Sequence, residues 1–134
     1  IHQRYPAIAT LEQAPFSAVL GLKVESAARG EAVVRMPFDP KLLNYGGPAV
    51  PIHGGAISAL ADFSACAAVW TMPATTSSAT IAMTVNYLAP GIQSDLVAHA
   101  RVRRKGRRVA SLTVEIHDQA GALVADALIT YKIA

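Results

Sequence analysis

Between residues 54 and 72 the chain carries one charged side chain, Asp62. Ser58 and Cys66 lie one helical turn to either side of it, and Ser64 and Thr71 are the other small polar groups. A carboxylate set among Ala, Leu, Ile, Phe and Val costs free energy unless something pairs with it. A solvated helix face is the ordinary explanation for such an Asp, but no second charge marks a solvated face here. Capping does not explain it, because a cap acts within the first turn and Asp62 lies well past Gly54. The pattern points to a functional carboxylate, suited to work as a general base or a nucleophile.

Gly54 and Gly55, preceded by His53, open the same run. A helix starting there presents free backbone N–H groups and a partial positive charge, which favour a carbonyl oxygen on which negative charge develops. One glycine is enough for a tight entry into a helix. Two, after a histidine, predict close approach of the backbone to a ligand. Yet the eight residues from Gly54 to Asp62 span about 12 Å of helix, while reacting groups must lie about 3 Å from the reacting carbon or its oxygen. One chain therefore cannot bring both to one carbonyl. Two chains related by a two-fold axis, with their helices antiparallel, can do so; the expectation is a site shared between subunits and built twice per dimer.

Carrying these groups requires a long helix over residues 54–72, rich in Ala and Leu, entered from a loop with Pro48 and Pro51 and ended by Pro73. Ahead of it, residues 8–20 have helical apolar spacing broken at Pro15, and a short strand is expected at 22–25. Residues 31–38 alternate as a strand, with Ala32, Val34, Met36 and Phe38 on one face. Four more strands are expected after the helix, at 80–88, 95–104, 109–117 and 123–133. In the first of them, strict alternation puts Ile81, Met83, Val85 and Tyr87 on one face and Thr80, Thr84 and Asn86 on the other. Lys105-Gly106 and residues 118–121 mark hairpin turns. Mainly short connections predict antiparallel neighbours. The expected fold is α+β: an antiparallel sheet wrapped around one long central helix. Part of the helix and an outer strand edge are then left for a second copy of the chain to cover.

The bulk composition fits. With 134 residues, 52% hydrophobic and 16% charged, the chain reads as a single domain over 1–134 with a sizeable core. One cysteine excludes an internal disulfide and suggests a reducing, cytoplasmic setting. The four histidines show no metal-ligand spacing with Cys66, so no metal or other cofactor is called for. The 54–72 run is nearly long enough for a bilayer, but Asp62 at its centre argues against a membrane span; no signal peptide is visible. A basic segment (Arg101, Arg103, Arg104, Lys105, Arg107, Arg108) surrounds the first hairpin. It lacks the interleaved aromatics of a nucleic-acid platform, and its plainest reading is a solvated hairpin tip.

Taken together, Asn44, His53-Gly54-Gly55-Ala56-Ile57, Leu60 and Asp62, then Asn86-Tyr87-Leu88 with Pro90, then Gly106-Arg107 and Asp118 with Gly121 resemble the hotdog-fold acyl-CoA thioesterases of the phenylacetate-pathway (PaaI-like) family. The resemblance runs from about Leu20 to the end of the chain. It implies that Asp62 is the general base or nucleophile, that the Gly54 N–H polarises the thioester carbonyl, and that His53 shapes that end of the site. By the same resemblance Thr80 helps hold the attacking water, and Asn44 helps place the thioester. The stretch from Asn44 to His53 is longer than the family's usual spacing, so a backbone group of that loop could take the place of Asn44. Gly55, Phe63 and Met83 are expected at the substrate pocket, and Lys105, Arg107 and Arg108 are candidates for the phosphates of coenzyme A.

The implied activity is hydrolysis of an aryl- or fatty-acyl-CoA by a homodimer or a dimer of dimers. The rival is a non-catalytic acyl-CoA-binding module on the same scaffold. A hydratase is a third option, and it fits less well because no histidine follows Asp62 on the helix.

Overall fold

The computed structural model describes residues 1–134. Two short helices come first, α1 (Pro6–Gln13) and α2 (Pro15–Leu20), separated where Pro15 restarts the helix. Then come β1 (Lys23–Ala28), β2 (Glu31–Met36), a 3-10 turn at Pro40–Leu42 and the long helix α3 (Gly54–Val69). Four strands complete the chain: β3 (Ser78–Tyr87), β4 (Leu96–Lys105), β5 (Val109–His117) and β6 (Leu123–Ile133). The first strand is longer than the 22–25 expected, because β1 and β2 form a hairpin whose two-residue turn, Arg29-Gly30, takes positive φ at both positions.

All six strands form one antiparallel sheet in the order β1-β2-β4-β5-β6-β3. That order corrects one expectation. β3 does not pair with β4; residues 88–95 carry the chain from one side of the sheet to the other, past the start of α3. The crossing is tied down as it goes, by Leu88 N–H and Ala89 N–H to the Val124 carbonyl and by Ile52 N–H to the Gly91 carbonyl. β3 therefore lies at an edge, bonded to β6 alone. Ile81, Met83 and Tyr87 are exposed along it.

The inner face of the sheet supplies the core: Ala32, Val34 and Met36 from β2, Leu96, Ala98 and Ala100 from β4, Leu112, Val114 and Ile116 from β5, and Ala127, Ile129 and Ile133 from β6. These pack on α3, which is buried on most sides and has Ala at six of its sixteen positions. Small side chains let a sheet approach a helix closely on several sides. One stripe of α3 stays only partly covered: Gly55, Ser58, Ala59, Asp62 and Cys66, which follow one another at helical spacing. β3 runs alongside this stripe. Tyr87 meets Ser58, Thr80 meets Asp62 and Ser78 meets Cys66, so strand and helix run in opposite senses.

Candidate active site

Asp62 projects from the partly covered stripe of α3 and is held from two directions. The Thr80 hydroxyl donates to its Oδ1 at 2.6 Å, and the Tyr131 hydroxyl lies 2.7 Å from the same oxygen. Thr80 reaches it through a strand irregularity. The β3–β6 register steps between Thr80 and Ala82, so Ile81 is an extra residue on β3 and Thr80 comes opposite Tyr131. This overturns the simple alternation, which had placed Thr80 on the face opposite Met83. With the bulge, Thr80 and Met83 both lie opposite inward-facing β6 residues, Tyr131 and Ile129.

Tyr131 escaped the sequence reading. Its signal was available: it is the residue with a polar tip among the inward positions Ala127, Ile129 and Ile133 of the last strand. Burial first, then its neighbours Cys66 and Asp62, push the phenol far above its ordinary pKa, so it acts as a neutral donor. Burial likewise pushes the Cys66 thiol up, against a lowering hydrogen bond from Ser78. A thiol kept protonated is a poor nucleophile.

Asp62, Thr80, Tyr131, Phe63 and Cys66 line a cavity of about 260 Å³ whose other walls are largely apolar, among them Leu11, Phe16, Leu20 and Leu22 from the N-terminal helices and the segment after them. Phe63 is thus both core and cavity wall. Met83 lines neither this cavity nor the groove at the start of α3; it stands on the edge strand, 37% exposed.

The start of α3 is built differently from a plain glycine entry. His53 is the N-cap, its Nδ1 accepting from the Gly55 N–H at 2.8 Å. That nitrogen must be the unprotonated one. A Cβ on residue 55 would come within 2.9 Å of His53 Nδ1, so Gly55 serves the cap. Gly54 serves Tyr87, whose ring would lie 3.3 Å from a Cβ there. Of the two amides, Gly55's is engaged by His53, while the Gly54 N–H sits at the first helical position, with no carbonyl four residues back to bond in a helical turn.

Gly54 and Asn44 line a second groove, about 370 Å³, together with Ile52, Ile57, Tyr87 and Pro90. The long 44–53 stretch does not displace Asn44. The Leu43–Ile52 bridge and the Asn44 N–H to the Pro51 carbonyl, at 3.1 Å, pinch off the intervening residues as an excursion. The two cavities share no lining residue, so within one chain Asp62 and Gly54 are separated, as helix length requires.

At the β4–β5 hairpin, Arg104, Arg107 and Arg108 line an open cleft of about 650 Å³ with Gly106, Val109 and Ser111; Lys105 is not part of its lining. Arg101 is paired with Glu31 at 2.8 Å and Arg103 donates to Thr113 at 2.9 Å, whereas Arg104, Lys105, Arg107 and Arg108 make no ion pair. No group of three His, Cys, Asp or Glu side chains converges, and no helix is long and apolar enough to cross a membrane.

A family model for the thioesterase superfamily matches residues 52–125, from the residue before His53 into β6. The chain belongs to this superfamily. Its sheet around one long helix is the hotdog arrangement, shared with the PaaI protein from the phenylacetic acid degradation operon of Escherichia coli. The two superpose with a TM-score of 0.83 at 28% identity, over 99% of this chain and 94% of that one. Among sequence relatives, the Halobacterium salinarum protein VNG_1336C, a candidate esterase, is 36% identical over 100 residues. That match takes in 72% of this chain and 66% of the relative, just under two thirds of its length. The medium/long-chain acyl-CoA thioesterase YigI of Escherichia coli K12 is 26% identical over 133 residues, 89% of this chain and 85% of that protein. The PaaI-like thioesterase character expected from the His-Gly-Gly and Asp62 segment is therefore present in the fold and in the family.

Proposed function

We propose that this thioesterase-superfamily member hydrolyses acyl-CoA thioesters at a site assembled from two subunits, Asp62 and Thr80 coming from one and the Gly54 amide from the other. The observation carrying this reading is the separation of Asp62 and Gly54 into two cavities of one chain, with a free strand edge running between them. An unpaired edge is a template for another strand. Antiparallel pairing of two β3 strands about an axis at Thr84, with Ile81 the extra residue as it is against β6, brings Thr80 opposite the partner's Tyr87. Thr80 marks the Asp62 cavity and Tyr87 the Gly54 groove, so each cavity then faces the complementary one.

In such a site the Gly54 amide and the positive end of α3 stabilise the oxygen of the thioester carbonyl as it becomes negative. The Asp62 carboxylate either takes a proton from water as the water oxygen adds to the carbonyl carbon, or adds itself to give an anhydride that water opens. In both routes the C–S bond breaks, and coenzyme A departs as a thiolate that is then protonated. Asn44 and His53 shape the carbonyl end. The cavity walled by Phe63, Leu11, Phe16 and Leu20 suits an apolar acyl group, and the unpaired cations Arg107 and Arg108 suit the phosphates of coenzyme A. The relative YigI, a medium/long-chain acyl-CoA thioesterase, supports an apolar acyl group.

The test is thiol release from octanoyl-CoA and phenylacetyl-CoA. Asp62→Asn is expected to lower turnover at least about a hundredfold while coenzyme A still binds. Unchanged turnover removes Asp62 from the mechanism. Met83→Lys, which sets two cations close to the proposed axis, is expected to yield an inactive monomer in sedimentation. An active monomer would overturn the shared site.

A further inference from the structure

The two oxygens of the Asp62 carboxylate are treated unequally. Oδ1 accepts from Thr80 at 2.6 Å and from Tyr131 at 2.7 Å, while no protein group donates to Oδ2. Tyr131 is 2% exposed, on β6 beneath the helix, and its hydroxyl also lies 2.8 Å from the main-chain carbonyl of Asp62. A phenol has one proton to give. When the carboxylate is ionised, the charge-assisted bond to Oδ1 is the stronger of the two. When the carboxylate has taken up a proton, the carbonyl still offers an acceptor, so the buried phenol is never left unsatisfied.

We propose that Tyr131 is a positioning residue: together with Thr80 it fixes Asp62 through Oδ1 and leaves Oδ2 as the oxygen that meets water or the thioester carbon. This rests on Asp62 being the catalytic carboxylate. A free Asp side chain on a helix samples several rotamers, and its terminal torsion is broad. Two donors on one oxygen, arriving from β3 and β6, remove that freedom. Thr80 keeps its lone pairs for a water proton, so a water held between Thr80 and Oδ2 is aimed at the cavity that both line. Tyr131 has no such opening, since its hydroxyl is already aimed at two Asp62 oxygens; its contribution is orientation rather than contact with substrate.

The experiment is octanoyl-CoA hydrolysis by Tyr131→Phe, which keeps the ring and removes the hydroxyl. Turnover number is expected to fall roughly 10- to 100-fold with KM within about twofold, because misplacing a reacting group by a fraction of an ångström to an ångström costs about that much. Introduced into Asp62→Asn, the same change is expected to cost nothing further, whereas general weakening of the fold would cost in both backgrounds. Wild-type turnover in Tyr131→Phe alongside an inactive Asp62→Asn overturns the positioning role and leaves the catalytic reading standing. Full turnover in Asp62→Asn overturns both. Should Tyr131→Phe not fold, a high-resolution crystal structure of the unaltered protein decides. The Tyr131 hydroxyl within hydrogen-bond distance of the inner Asp62 oxygen alone supports the proposal, and a separation beyond about 3.5 Å overturns it.

Discussion

The hydroxyl of Tyr87 donates to the carbonyl of Gly54 at 3.2 Å, and its ring occupies the space a side chain at position 54 would need. Tyr87 also shares a hydrogen bond with Ser58, one turn along the helix. The edge strand thus braces the first turn of α3 from the side, while the Gly54 amide points out of the helix end. The tyrosine leaves little room for a Cβ at position 54, and the Gly54 N–H is a separate asset.

These two roles can be pulled apart. Gly54→Ala adds a Cβ against Tyr87 but keeps the amide; Gly54→Pro removes the amide at the first helical position, where proline is well tolerated. The extended backbone of His53, φ −58 and ψ 133, accepts a following proline. The proline variant is expected to lose about a hundredfold or more in turnover and the alanine variant much less, in a thiol-release assay. Mixing Asp62→Asn with Gly54→Pro under subunit exchange should restore about a quarter of wild-type activity, because half the dimers then hold one intact site of two. No restoration would place both groups in one chain's site.

Arg107 and Arg108 are exposed at the β4–β5 hairpin and free of acidic partners. Replacing both with alanine is expected to raise KM for octanoyl-CoA roughly three- to tenfold with little change in turnover number, since uniform binding is lost. The effect should shrink at high salt and vanish with an octanoyl thioester of N-acetylcysteamine, which carries no phosphate. An equal rise in KM for both substrates would remove the cations from phosphate recognition.

Tyr131 also sets an alkaline limit on stability. Its folded pKa is raised, chiefly by burial, so the unfolded chain ionises this phenol first as pH climbs. The stability tied to the group is fully present below the unfolded value of about 10 and is lost as pH rises above it. Melting temperature is expected to fall above about pH 10, and to fall less steeply in Tyr131→Phe. Cys66, raised for the same reason, adds to the decline from its own unfolded value of about 8.5, and Cys66→Ala should remove that share. Parallel curves for the three proteins would count against this linkage.

The sequence by itself determined the isolated acid on a helix of small apolar residues, the glycine-opened helix start, the element order and the incompatibility of Gly54 and Asp62 within one chain. All of these rest on local rules: periodicity, helix rise and the scarcity of charge around residue 62. Only the tertiary structure decided that β3 leaves β4 for the far edge beside β6, that the extra residue Ile81 turns Thr80 toward Asp62, and that Tyr131 closes on the same oxygen. It also decided that the long 44–53 stretch loops out and leaves Asn44 beside Gly54. Alternation along a strand reveals which residues share a face as long as no extra residue intervenes. Which strand lies beside which, and where a bulge relieves the fit, follows from packing between segments far apart in the chain, and no local pattern encodes that.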